Sequence, residues 1–247
     1  MARTAATPSR VPVTISTRGP VAVVTVDDGA DNTIDVAVVE SLLSAFRSVQ
    51  AHAGAVVLTG RAGCYSVGWD YEFLRSGGEA ATRLLQSATE MILRFVEFPR
   101  PLVAACTGDA LGAAAASLLC CDARIGAAGD YRIGMDFVSR GVPVPDLAVE
   151  LARSRLSHRH MTMACNTARL YSPDEAVDAG FLDYVTTGDA VEEACEVAAD
   201  LAERLDPAAF AATRATICRS LMDAVTFSAG NLWRRTGRPV AASRRHG

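Results

Sequence analysis

The chain has 247 residues, half of them hydrophobic, with a formal net charge of -4 and an isoelectric point near 5.6. That length accommodates one large domain or two small ones, and the apolar share is enough for a sizeable core. The acidic balance excludes a general nucleic-acid binder, which would carry a basic stripe, and no apolar run is long enough to cross a bilayer.

Residues 1–10 read as a flexible N-terminus, with no apolar segment behind them of the kind a secretion signal needs. Val11 to Ser16 and Val21 to Val26 alternate like two strands around an Arg18-Gly19-Pro20 turn. Asp27 to Asn32 is a polar loop. Asp35 stands where a helix N-cap would, ahead of apolar residues Val38, Val39, Leu42, Leu43, Phe46 and Val49 at helical spacing, so a helix is predicted to about His52. Ala55 to Thr59 and Leu102 to Cys106 are short continuous apolar runs, the pattern of buried strands. A helix is predicted from Glu79 to Glu97, stopped by Pro99 and Pro101. Arg124 to Ala127 and Tyr131 to Ile133 read as short strands. Beyond Pro145 helices dominate, at 146–156, 158–167, 173–179, 189–205 and 207–228, interrupted by an extended stretch from Phe181 to Val185. Strands with crossover helices followed by a helical portion make an α/β core with a helical appendage.

The seven cysteines have no disulfide-framework spacing, and Cys106 and Cys120 read as packed thiols. The four histidines form no zinc pattern, so no metal site is expected; His158 and His160 read as surface helix residues. The expectation is a soluble, cytoplasmic protein. The basic segment from Arg234 to Gly247 reads as a solvated terminus, with contact to an anionic ligand or a neighbouring subunit as the alternative.

Two segments carry the chemistry. "VVLTGRAGCYSVGWDYEFL" (Val56 to Leu74) and the stretch from Leu102 to Cys121 each run from a buried strand through a Gly-bearing turn into a helix. Small residues let a ligand approach the backbone closely. Two such turns side by side would give two converging N–H donors, an arrangement that stabilises negative charge developing on a thioester or ester oxygen. The competing reading makes Ser66 a nucleophile. The elbow motif is G-x-S-x-G, and here Cys64 occupies the first glycine position with no histidine suitably downstream.

At these positions the sequence resembles the crotonase, or enoyl-CoA hydratase/isomerase, superfamily. "YSVGWD" (Tyr65 to Asp70) is similar to its F-[SA]-A-G-x-D signature, and Pro101 to Ala127 resembles its P-x-[IV]-A-x-[IV]-x-G-x-A-x-G-G-G…D-x-R-[IV]-A block. "IGMDFVSRGVPVP" (Ile133 to Pro145) and "LYSPDEAVDAGFLDYV" (Leu170 to Val185) resemble two further segments, in order and register. The resemblance implies a crotonase-type spiral of ββα units over 11–187, a helical trimerisation region over 188–230 and a basic tail over 231–247. It implies a homotrimer or dimer of trimers that takes an acyl-CoA thioester as its small-molecule ligand, with no permanently bound cofactor, no nucleic acid and no membrane. The oxyanion donors would be the N–H groups of Trp69 and Ala113. Asp31, Thr33, Ile34, Ser66, Gly68, Asp70, Leu111, Gly112 and Phe137 would line the coenzyme A and substrate site.

The sequence departs from that family where its hydratases carry two glutamates. Those positions fall on Ala116 and Phe137, neither of which can move a proton. Each missing acid or base is worth on the order of a hundred- to ten-thousand-fold in rate. Asp146, after Pro145, is the candidate acid/base, with N-capping as the competing role. Asp136 neighbours the second glutamate position, and a one-residue slip in an extended segment would turn it to the wrong face. Asp109 is expected to make a loop hydrogen bond, and Asp70 and Asp122 to act as caps or anchors. Three readings stay open: a single-acid enzyme of the hydratase/isomerase type, a non-catalytic acyl-CoA binder, and a specialised thioester hydrolase or lyase.

Overall fold

The computed structural model describes residues 12–219 and 221. The expectations for residues 1–10, for the basic tail over 231–247 and for the end of the last helix lie outside those residues. Strands β1 (Val13–Arg18) and β2 (Val21–Val26) form the antiparallel hairpin that the alternation predicts. From β2 the chain repeats one operation. It lays a strand into a six-stranded sheet, turns, lays a short strand into a second sheet of three strands, and crosses back through helix. The large sheet takes β3 (Ala55–Thr59), β5 (Leu102–Cys106), β7 (Ala123–Ala127) and β9 (Tyr184–Thr186), in the order β1-β2-β3-β5-β7-β9. The small sheet takes β4 (Gly63–Ser66), β6 (Gly108–Leu111) and β8 (Ile133–Gly134), all parallel.

The helices are α1 (Val36–Val49), α2 (Tyr71–Ser76), α3 (Gly78–Val96), α4 (Ala113–Leu118), α5 (Asp146–Arg155), α6 (His158–Cys165), α7 (Pro173–Ala179) and α8 (Ala190–Arg204). Residues 207–219 are helical as well. Every residue of β3 and β5 is buried, because helices cover both faces of a largely parallel sheet. Alternate residues serve the two sides. Val57, Val103 and Ala105 face a small core closed by Ala190, Ala194 and Ala198 of α8. Val56, Leu58, Leu102 and Ala104 face the main core with α1 and α3. Asp35 caps α1 by accepting from Val38 N–H at 2.8 Å, as expected.

Several sequence expectations are corrected. The small sheet was not foreseen, because β4 and β6 lie inside segments that read as turns. The strand expected at Tyr131 to Ile133 is two residues long and starts at Ile133. The extended stretch begins at Tyr184 rather than Phe181, because Phe181 and Leu182 N–H groups both bond back to Ala176 O and close the end of α7. His160 is buried, not on the surface: its Nδ1 pairs with Ser157 Oγ at 2.9 Å and its ring meets Tyr171 edge-on.

Two buried arginines fasten the later segments to the sheet. Arg124 of β7 donates to Asp183 and, at 2.7 Å, to Gly180 O. Arg214 reaches from the last helix to Asp122, and to the carbonyls of Val96, Phe95 and Cys120 at 2.8, 2.9 and 3.0 Å. Asp122 also accepts from Leu102 N–H at 2.8 Å, so it anchors the start of β5 as expected. Arg214→Ala removes the cationic partner of a half-buried carboxylate and one donor from each of three carbonyls. It is expected to lower unfolding stability by about 3–5 kcal/mol in urea titration.

Burial pushes the Cys106 and Cys120 thiols up from 9.0 to about 12, which agrees with their reading as packed, neutral groups. A thiol pKa raised by folding stabilises the fold fully below the unfolded value. That contribution is lost as pH rises through the folded value. The urea midpoint is therefore expected to fall progressively between about pH 9 and pH 12, and a Cys106→Ala, Cys120→Ala variant is expected to show a shallower decline.

Candidate active site

The site is built where the two strand-to-helix turns touch. Strands β4 and β6 pair in parallel with Ser66 opposite Ala110. Three residues further on, each chain turns, so Trp69 comes level with Ala113. Contact between the turns is backbone against backbone. A Cβ at Gly68 would lie 2.4 Å from Leu111 O and 3.2 Å from Ala113 N, and φ there is +80°. Only glycine fits such an approach. Gly112, at φ +55°, faces side chains instead: a Cβ there would lie 2.3 Å from Tyr71 Oη and 3.0 Å from Asp136 Oδ1. Among the described residues, neither the Trp69 nor the Ala113 N–H donates to a backbone carbonyl in the turns and loops.

The loop from Asp27 to Ile34 is stitched onto the first turn. Asn32, fully buried with φ +53°, donates from its side-chain amide to Val26 O, Cys64 O and Tyr65 O. Asp28 holds the loop itself, accepting from the N–H groups of Ala30, Asn32 and Thr33. Val67 N–H donates to Asp31 O at 3.0 Å and Ile34 N–H to Gly68 O at 2.8 Å. Thus Asp31, Thr33 and Ile34 lie along the first turn, from Ser66 to Gly68. Ser66 is not placed as a nucleophile. Its hydroxyl donates to Asn32 O at 2.6 Å and accepts from Gly68 N–H at 3.0 Å, which fixes the turn.

Beyond the turns the chain gathers aromatic rings and one carboxylate. Trp69 is 9% exposed, and its indole meets the Phe137 ring edge-on at 5.6 Å. Among the described residues, its Nε1–H is buried without an acceptor. Phe137 also meets the Tyr71 ring at 6.2 Å. Asp136 is 3% exposed and accepts from Tyr71 Oη at 2.9 Å and from Arg140 Nε at 2.9 Å. This corrects the expectation that Asp136 faces away. Strand β8 ends at Gly134, so strict alternation does not govern the next residues. A tight turn, with Arg140 N–H donating to the carbonyls of Asp136 and Phe137, brings Arg140 back over the carboxylate. Burial first, and then the neighbouring Asp136 charge, push the Tyr71 hydroxyl far above its ordinary range, so it stays a donor.

The other carboxylates have separate duties. Asp70 caps α2, accepting from Glu72 and Phe73 N–H at 2.9 and 3.0 Å. Asp109 binds Arg132 through both backbone and side chain, at 2.7 and 2.8 Å, as the loop reading expected. Asp146 is the first residue of α5, half-buried. Pro145 is the N-cap and no side chain caps that helix, so the N-capping role expected of Asp146 is not observed. The structure thus brings together Trp69, Ala113, Gly68, Gly112, Leu111, Phe137 and the loop 31–34. No hydrogen bond or ring contact ties Asp146 to them among the described residues. Ala116 is buried on α4. Sequence reasoning missed Asn32, Tyr71 and Arg140. The signals available were an asparagine in a polar loop, which tolerates positive φ, and a tyrosine directly after a capping aspartate.

The Enoyl-CoA hydratase/isomerase family model matches residues 16–229. A Thermus thermophilus protein named as an enoyl-CoA hydratase is 31% identical over 194 residues, 75% of this chain and 76% of its own length. The chain is similar to the crystal structure of a Mycobacterium tuberculosis protein described as an enoyl-CoA hydratase, at TM-score 0.86 and 30% identity, covering 92% of this chain and 96% of that one. Human mitochondrial delta3-delta2-enoyl-CoA isomerase shares the fold at TM-score 0.81 and 22% identity, covering 87% and 86%. The crotonase-type spiral is therefore the fold of this chain. With two turns meeting at Gly68, a matched family model and a relative of this identity, the chain belongs to the enoyl-CoA hydratase/isomerase family.

Proposed function

We propose that this protein binds acyl-CoA thioesters between the loop 31–34 and the two turns and isomerises an enoyl-CoA by moving one proton. The observation that carries this reading is the contact of Gly68 with Leu111 O and Ala113 N, which sets two N–H groups without backbone acceptors side by side. The Trp69 and Ala113 N–H groups donate to the thioester oxygen, more strongly as it gains charge than in the resting carbonyl. A base removes a proton from the carbon next to the thioester carbonyl. The C–H electron pair becomes the enolate, and return of the proton to the far end of the conjugated system shifts the double bond. Atoms and charge balance without a co-reactant.

Addition of water calls for a second positioned group, and Ala116 and Phe137 supply none. Hydration of an enoyl-CoA is therefore expected to be on the order of a hundred-fold or more slower than isomerisation. That same absence supports the second reading, a non-catalytic acyl-CoA binder. The test is deuterium exchange at the α-carbon of a panel of acyl- and enoyl-CoA thioesters in heavy water, read by mass spectrometry. Exchange above a no-enzyme control is the expected result. Thioesters that bind without exchanging would overturn the catalytic reading in favour of the binder.

Gly112→Ala probes the donor geometry directly. A Cβ 2.3 Å from Tyr71 Oη displaces the second turn. The exchange rate is expected to fall by about 10²–10³, the cost of losing one such donor, with thioester affinity nearly unchanged in titration calorimetry. An unchanged rate in the folded variant would exclude Ala113 as a donor.

A further inference from the structure

Among the described residues Asp136 is the one acidic side chain that is buried. Removing a carboxylate from water costs several kcal/mol, and well-packed apolar groups often serve a core as well or better. The surroundings of Asp136 are aromatic, with Tyr71 and Phe137 at hand, so packing alone does not call for a charge there. What distinguishes the position is its place between the two turns. Its Oδ1 lies 3.0 Å from the position a Gly112 Cβ would take, one residue before Ala113. Its hydrogen-bond donor Tyr71 stands two residues after Trp69. The carboxylate thus touches both segments whose N–H groups face the thioester in the reading above. Arg140 pairs it at 2.9 Å through a side chain that is itself 55% exposed, so no second charge is buried with it.

We propose that Asp136 is the group that moves the proton in this protein, with Tyr71 and Arg140 as the residues that position it. The proposal rests on the reading of the site as one that activates a CoA thioester. It reassigns the role from Asp146, which sits half-exposed on the first turn of α5. In the step, an Asp136 carboxylate oxygen forms an O–H bond as the α-carbon loses its proton, and the C–H electron pair passes to the thioester oxygen. The same O–H then gives the proton back to the γ-carbon while the double bond moves into conjugation. Tyr71 stays protonated throughout and holds Oδ1, and Arg140 holds Oδ2. Neither aromatic neighbour of the pair can substitute for the carboxylate, since Trp69 and Phe137 carry no group that ionises near neutral pH.

The experiment compares wild type, Asp136→Asn, Asp146→Asn and Tyr71→Phe in the α-carbon exchange assay, with thioester binding and thermal unfolding measured on each. Asp136→Asn is expected to lose exchange by about 10²–10⁴, the usual worth of a general acid or base, while still binding thioester. Asp146→Asn is expected to stay within threefold of wild type. Tyr71→Phe keeps the carboxylate and loses its donor; kcat is expected to fall about tenfold with KM unchanged, a smaller loss than for the acid itself. Exchange within threefold of wild type in a folded Asp136→Asn overturns the proposal, as does loss confined to Asp146→Asn. Should Asp136→Asn fail to fold, an unchanged kcat in Tyr71→Phe overturns it instead. A wild type that binds thioesters and exchanges none refutes the catalytic reading and this assignment together, so the wild-type arm alone separates the two failures.

Discussion

Everything at the site depends on one contact between two backbones. Gly68 lies so close to Leu111 O and Ala113 N that no side chain fits between them. The contact follows from the parallel pairing of β4 and β6, which aligns equivalent points of two successive turns of the spiral. It also explains why the neighbouring helix α4 begins with four alanines, all buried. Small residues on one side and a glycine on the other let backbone, rather than side chain, form the surface where the two turns meet. The loop 27–34 completes that surface because Asn32 ties three carbonyls on β2 and β4 to one buried amide.

The buried charged side chains Arg124, Arg214 and Asp136 fall into two kinds. Arg124 and Arg214 are cations whose partners include main-chain carbonyls at the ends of helices and strands. They supply donors to carbonyls at the ends of elements, and they hold α7, β9 and the last helix against the sheet. Asp136 is the opposite case. It is an anion between the two turns, held by one phenol and one arginine. A charge placed to satisfy backbone is a fastener; a charge placed beside the turns, where apolar packing would serve the core as well, calls for another reason.

The core was legible from local pattern. Continuous apolar runs at 55–59 and 102–106 are buried strands, and Asp35 and Asp70 cap helices as their positions suggested. The short strands β4 and β6 were not legible. Four residues each, Gly-Cys-Tyr-Ser and Gly-Asp-Ala-Leu, are too short to show a periodicity, and their strand character comes from pairing with one another. Asp136 was misjudged for a related reason. The alternation rule holds within a regular strand, and the strand stops at Gly134. His160 was misjudged because Tyr171, the ring it packs against, lies eleven positions away in sequence and on another element.

By itself, then, the sequence determined the alternation of strand and helix, the two Gly-bearing turns and the family. These are properties of residue type and spacing along the chain. Only the tertiary structure decided that Ser66 is a fixed hydrogen-bonding post, that Asp146 stands apart, and that Tyr71, Asp136 and Arg140 meet beside Gly112. Tyr71 and Asp136 are 65 residues apart. No local preference encodes such a pair; it exists because the spiral stacks one turn of chain directly upon the next.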